Sequence, residues 1–210
     1  MAYKLAVFDF DGTLADSADW TMGIMNELAE RHGFRKVSDE EIAMLRGRDN
    51  RAIVRYLGVP AWKMPLIAND MRKRIAQDAD RIRLFSGVEE CLRMLHGRGV
   101  ALAVVTSNAE ANVRRILGER NAALIRHYAC GASIFGKARK FRAVLRASGL
   151  SAGQAIGIGD ETRDIEAATQ AGIAAGAVTW GYATADLLRS YKPTHLFESF
   201  DDLVAAFPAS

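Results

Sequence analysis

Four short apolar runs recur along this chain, and each is followed by a stretch long enough to form a helix. They are Leu5-Ala6-Val7-Phe8, Val100-Ala101-Leu102-Ala103-Val104-Val105, residues 154–158 and residues 174–179. A continuous apolar run of this length, without polar alternation, is the mark of a strand buried on both faces, and such strands belong to parallel sheets. Parallel neighbours are joined by right-handed crossovers, so the intervening helices cover both faces. Weaker strands are expected at 128–130 and 194–197, and helices at 16–32, 88–96, 109–117, 138–147, 163–170 and 185–190. The pattern predicts an α/β fold, a three-layer α/β/α Rossmann-like parallel sheet.

One region breaks the alternation. Residues 38–83 read as helical throughout, with no convincing strand. Ser38-Asp39-Glu40-Glu41 has the form of a capping box, and Gly47, Gly58 with Pro60, and Pro65 divide the region into short helices. An α-helical cap, residues 15–83, is therefore expected as an insert in a core made of residues 1–14 and 84–210.

The 210 residues suffice for such a core and its insert. Net charge is only +3, and the basic residues are spread out, apart from Arg72-Lys73-Arg74 with Arg81 and Arg83. That cluster reads as a solvated helix face, or as a positive rim that draws in anions; no nucleic-acid partner is expected. Cys91 and Cys130 have neither disulfide nor metal spacing, and His32, His96, His127 and His195 suggest no metal ligation. The N-terminal residues do not form a signal peptide, and no segment is apolar enough to span a bilayer. The expectation is a cytoplasmic protein with no membrane partner. Nothing in the sequence speaks to oligomeric state.

Ligands of open parallel sheets bind beyond the carboxyl ends of the strands. Four regions at that edge carry unusual polar residues: Asp9-Phe10-Asp11-Gly12-Thr13, Thr106-Ser107-Asn108, Gly136-Lys137, and Gly159-Asp160-Glu161-Thr162-Arg163-Asp164. Taken singly, each reads as a turn, a helix cap or a solvated lysine. Carboxylates, a lysine and hydroxyls gathered at one edge are costly to assemble unless a metal or a charged ligand compensates them.

Phe8-Asp9-Phe10-Asp11-Gly12-Thr13-Leu14 resembles the first motif of the haloacid dehalogenase superfamily. Thr106, Lys137, and Gly159-Asp160 with Asp164 follow in the order of its later motifs. The likeness covers nearly the whole chain and is nearest to the phosphoglycolate-phosphatase-like branch, which carries a helical cap between the first and second motifs. It implies a phosphatase that acts on a small phosphorylated metabolite with Mg2+. Asp9 would be the nucleophile that forms an aspartyl-phosphate, and Asp11 the general acid and base. An aspartate in that place favours phosphate esters, anhydrides or phosphomutation over carbon–halogen cleavage. Mg2+ would be held by the Asp9 and Asp160 carboxylates and the Asp11 carbonyl. Asp164 would hold a metal-bound water or orient Lys137, with Glu161 as a substitute ligand.

The same resemblance gives Thr106 and Lys137 to the phosphoryl oxygens. In this family that lysine is often followed by proline; Ala138 follows here, which leaves Lys140 as a second candidate. Gly12, Thr13, Ser107 and Asn108 would line the phosphate site, the N–H groups of the Asp9–Gly12 turn forming an anion nest. Gly12 allows the φ values that such a turn needs. In the cap, Arg46-Gly47-Arg48 lies in a helix break from which Arg46 and Arg48 either reach the substrate or form a solvated turn. Trp20 and Trp62 are expected to pack within the cap. A phosphomutase, a pyrophosphate or nucleotide phosphatase, and a non-catalytic binding module are the alternatives.

Overall fold

The computed structural model describes residues 2–131 and 136–208. Its main sheet contains β1 (Leu5–Phe8), β4 (Ala101–Val105), β5 (Ile125–Ala129), β6 (Ala155–Gly159), β7 (Ala174–Val178) and β8 (His195–Phe197), in the spatial order β5-β4-β1-β6-β7-β8. Every neighbouring pair is parallel. The first strand lies in the middle because its four residues are all apolar and completely covered.

Side chains alternate across a strand, and here the alternation divides the core into two. Ala6 and Phe8 point to one face, where they join Leu102, Val104, Ile156 and Ile158 against α5 (Val88–Gly97), α6 (Glu110–Leu124) and α10 (Phe200–Ala205). Leu5 and Val7 point to the other, with Ala103 and Val105, against α7 (Lys137–Ser148), α8 (Thr162–Ala171) and α9 (Ala185–Ser190). The result is the three-layer α/β/α sandwich expected from the apolar runs.

Between β1 and α5 the chain forms α1 (Ala18–His32), α2 (Asp39–Leu45), α3 (Asn50–Tyr56) and α4 (Met64–Asp78). The box at Ser38 is present: its hydroxyl accepts from the Glu41 N–H, and the Glu41 carboxylate accepts from the Ser38 N–H. This helical segment has a small cluster of its own around Val37, Leu45 and Leu57. At its root, β2 (Ala15–Asp16) and β3 (Arg83–Leu84) pair antiparallel. Neither strand was expected; two residues are too few to show a period, and only their meeting across the insert makes them strands.

Other differences are local. The helix expected to stop at residue 117 resumes after a non-helical Gly118 and runs to Leu124, so β5 begins earlier than expected. Six-residue α10, capped by Ser199, was not foreseen. Trp62, expected to pack, is 69% exposed, whereas Trp20 is half-buried and donates to Asp78. Among the described residues both cysteines are free thiols, and burial pushes Cys91 up to about 12. No helix among them is long and apolar enough to cross a membrane.

Candidate active site

The sheet order decides which loops meet. Strands β4, β1, β6 and β7 are consecutive neighbours, so the segments that leave their carboxyl ends converge. They bring Thr106, Asp9 to Thr13, Asp160 to Asp164, and Gly181-Tyr182 to one place. Asp9, Thr106, Asp160, Asp164 and Lys137 are all buried.

Asp9 follows β1. One carboxylate oxygen accepts from the Phe10 N–H at 2.8 Å, and the other lies 2.7 Å from Lys137 Nζ. Lys137 opens α7, and its ammonium also contacts Asp164 Oδ1 at 2.6 Å. The lysine therefore bridges two carboxylates. Burial works against its charge, but Asp164 and Asp9 outweigh burial and hold its pKa above the ordinary lysine value. Lys140, the second candidate, is turned away and donates to the carbonyls of Ala129 and Cys130.

Asp9, Asp160 and Asp164 each present a carboxylate oxygen within 4.8 Å of the others. Burial first, and then the negative charges of Glu161, Asp164 and Asp9, raise Asp160 well above the usual carboxylate range. Burial likewise raises Asp9 despite the lowering effect of Lys137. Three buried acids held in this way form a hard-oxygen donor set that suits Mg2+ or a similar divalent cation. Glu161 is not aimed there. Its oxygens accept from Asn50 Nδ2 at 2.6 Å and from Arg163 Nε at 2.6 Å.

Asp11 faces a cavity of about 320 Å³ between the core and the helical segment. Its carboxyl is pushed up to about 6 by burial and then by the Asp9 charge. Asn108 Nδ2 donates to Asp11 Oδ2 at 3.2 Å, while Asn108 Oδ1 accepts from the Ala109 N–H and from Asn112 Nδ2. Asn108, expected to bind substrate, lines the cavity, and its Nδ2 also orients Asp11. Thr106 Oγ1 accepts from the Asn108 N–H at 3.0 Å, which leaves its own proton to donate. Ser107 lines the cavity, and its carbonyl accepts a long hydrogen bond from Arg72.

Thr13 has a partner that was not expected, whereas Gly12 has the positive φ expected of it. Thr13 is 1% exposed and donates to Asp160 Oδ1 at 2.8 Å, so its hydroxyl holds an acid rather than a substrate. Gly12 has φ +78, and a Cβ there would overlap Asp160 and the Tyr182 ring. The anion nest is smaller than expected. The Asp9 N–H continues the sheet to the Ile158 carbonyl, and the Gly12 N–H donates to the Ala15 carbonyl.

The segment after β7 was overlooked in the sequence. Tyr182 donates its N–H to Asp160 Oδ2 at 2.8 Å, and its hydroxyl sits 2.9 Å from Ser17 Oγ and 3.0 Å from Thr21 Oγ1. Burial, and then Asp11, hold that phenol above its ordinary pKa. Gly181 is buried so closely that a Cβ would strike Asp160 and the Gly12 carbonyl. The available signal was Trp180-Gly181-Tyr182, a small residue between two aromatics at the same strand edge as the other motifs. Arg46 is drawn to this loop, not to open space: Nε and Nη2 donate to the Tyr182 and Gly181 carbonyls, each at 3.0 Å. Arg46 and Arg48 both line the cavity.

Comparison with known proteins agrees in family. The sequence profile of haloacid dehalogenase-like hydrolases matches residues 6–178. A phosphoglycolate phosphatase of Synechococcus elongatus is 32% identical over 201 residues, spanning 95% of both chains. A 5'-nucleotidase of Pseudomonas aeruginosa is 28% identical over 217 residues, spanning 93% of this chain and 91% of the relative. Among solved structures, a haloacid dehalogenase-like hydrolase from Streptococcus pneumoniae superposes with a TM-score of 0.80 at 20% identity, covering 98% of this chain and 99% of the other; at that identity the likeness speaks for the fold.

Proposed function

The chain belongs to the haloacid dehalogenase-like hydrolases and is a hydrolase of phosphoric esters, and from this premise we propose that it hydrolyses a small phosphate monoester in two steps through Asp9, with Mg2+ as its metal. The observation that carries the reading is the buried trio Asp9, Asp160 and Asp164 with Lys137 Nζ lying 2.7 Å from Asp9 and 2.6 Å from Asp164.

In the first step an Asp9 carboxylate oxygen attacks phosphorus while the bond to the ester oxygen breaks. Asp11, whose carboxyl sits near pKa 6, gives its proton to the departing alkoxide. In the second step Asp11 takes a proton from water, the resulting hydroxide attacks phosphorus, and the bond to Asp9 breaks, restoring the carboxylate. Asn108 keeps Asp11 pointed at both protons. Lys137 offsets the charge between nucleophile and phosphate, and Thr106 donates its hydroxyl to a phosphoryl oxygen. The Asp9 and Asp160 carboxylates and the Asp11 carbonyl would hold Mg2+, and Asp164 would serve by fixing Lys137. The metal would supply charge neutralisation at the attacked phosphate.

The named relatives include a phosphoglycolate phosphatase and a 5'-nucleotidase, so likeness alone leaves the alcohol open; 2-phosphoglycolate is the first ester to try. The test is phosphate release from a panel of esters by the natural protein and by Asp9→Asn, each with Mg2+ and with EDTA. Turnover is expected only for the natural protein with metal, with a loss of at least about 10³-fold in Asp9→Asn. Equal turnover by Asp9→Asn would end the reading.

A further inference from the structure

Resting on the phosphatase reading, we propose that the ester's alcohol is apolar: the protein takes phosphate monoesters of alkyl or aryl alcohols, with the phosphate at Asp9 and the hydrocarbon inside the helical segment. The cavity over Asp11 has a polar floor, where Ser107 and Asn108 join the acid. Its walls are different. Met22 and Met25 from α1, Ile53 from α3, and Ile67, Met71 and Ile75 from α4 surround it. All but Ile75 are only partly buried, although they face inward between helices. Three helices thus leave apolar side chains uncovered next to a catalytic carboxyl. An apolar guest would complete the packing, and methionine walls adapt to its shape.

Charge argues the same way. The two acids that line the cavity, Asp11 and Glu161, belong to the core, and Glu161 is taken by Asn50 and Arg163. Among the cap's cations, Arg46 holds the carbonyls of Gly181 and Tyr182, and Arg72 leans on the Ser107 carbonyl. Exposed Arg48 alone remains uncommitted among the described residues that line the cavity. A second anionic group on the alcohol, such as the carboxylate of 2-phosphoglycolate, would meet largely apolar walls with only Arg48 free to pair with it, since Arg46 and Arg72 keep their charge but spend donors on backbone carbonyls. Size agrees as well. About 320 Å³ is at the lower end of cavities that hold drug-sized ligands, about 300–1,000 Å³, and a two-carbon acid fills only part of it.

The experiment compares kcat/KM for ethyl, butyl and hexyl phosphate and for 2-phosphoglycolate, with Mg2+. Each added methylene is expected to raise kcat/KM about fourfold until the cavity is full, and hexyl phosphate to exceed 2-phosphoglycolate at least tenfold. In Ala68→Phe, which fills the cavity from α4, the hexyl-to-ethyl ratio is expected to fall tenfold or more; taken within one variant, the ratio is insensitive to how much protein is folded. A flat series, 2-phosphoglycolate ahead of hexyl phosphate, or an unchanged ratio in Ala68→Phe overturns the inference and leaves the phosphatase reading standing. No turnover of any ester overturns that reading itself.

Discussion

Asp11 shows what a single acid gives up to be useful. Burial and the neighbouring Asp9 charge lift its carboxyl to about 6, whereas an unfolded aspartate titrates near about 4. Between those values the folded chain binds more protons than the unfolded one, so this residue's contribution to stability falls as pH rises. At pH 7.5 the ionised form opposes the metal-free fold by up to about 3 kcal/mol, from a shift of about two units. Asp11→Asn in EDTA is therefore expected to unfold at higher urea than the natural protein at pH 7.5, by about 1–3 kcal/mol. The gap should narrow toward pH 4.5, while turnover with metal falls at least about 10²-fold. An equal gap at both pH values would mean that the ionisation of Asp11 is not its source.

At the scale of elements, the turn between β7 and α9 ties the core to the helical segment. Its Gly181 and Tyr182 carbonyls hold Arg46, the Tyr182 hydroxyl reaches Ser17 and Thr21 beside and within α1, and the Tyr182 N–H steadies Asp160. Arg46 thereby positions this turn, although it lines the cavity beside Arg48. The two arginines should behave differently across an ester panel. Arg46→Ala is expected to lower kcat/KM for every ester by a similar factor, about three- to tenfold for the loss of charge-assisted hydrogen bonds partly open to water. Arg48→Ala is expected to change the ranking of esters instead. Steady-state kinetics on the same panel read both outcomes, and a reversal of the two patterns would assign Arg46 to the substrate.

For the whole molecule, a metal held by the buried acids would make its binding part of folding stability. A ligand that binds only the folded state adds RT ln(1 + [L]/Kd), about 2.7 kcal/mol at a hundredfold excess over Kd. Mg2+ titrated into the natural protein is expected to raise Tm progressively by several degrees, since about 1 kcal/mol moves Tm roughly 2–4 °C in a chain of this size. In Asp160→Asn the rise should be lost, because a donor is removed from the trio. The measurement is a thermal melt, independent of substrate. A full Mg2+ response in Asp160→Asn would move the metal away from this cluster.

The apolar runs alone determined the four central strands, β4, β1, β6 and β7, because a strand buried on both faces has no polar position to spare. Local chemistry likewise determined the Ser38 cap, and the polar strand ends pointed to Asp9, Lys137, Asp160 and Asp164 as one group. What only the tertiary structure decided were the partners of groups far apart in the chain. Thr13 and Asn108 sit in motifs that read as substrate contacts, yet the Thr13 hydroxyl donates to Asp160 and Asn108 Nδ2 to Asp11. Arg46 found backbone carbonyls some 135 residues away, and Tyr182 gave no local sign that it would reach α1. β2 and β3 exist only because the two ends of the insert meet. A residue's type sets which bonds it can make, and periodicity sets which face it occupies. Which atom meets it there is chosen by the order of strands in the sheet, and that order depends on the packing of the whole chain.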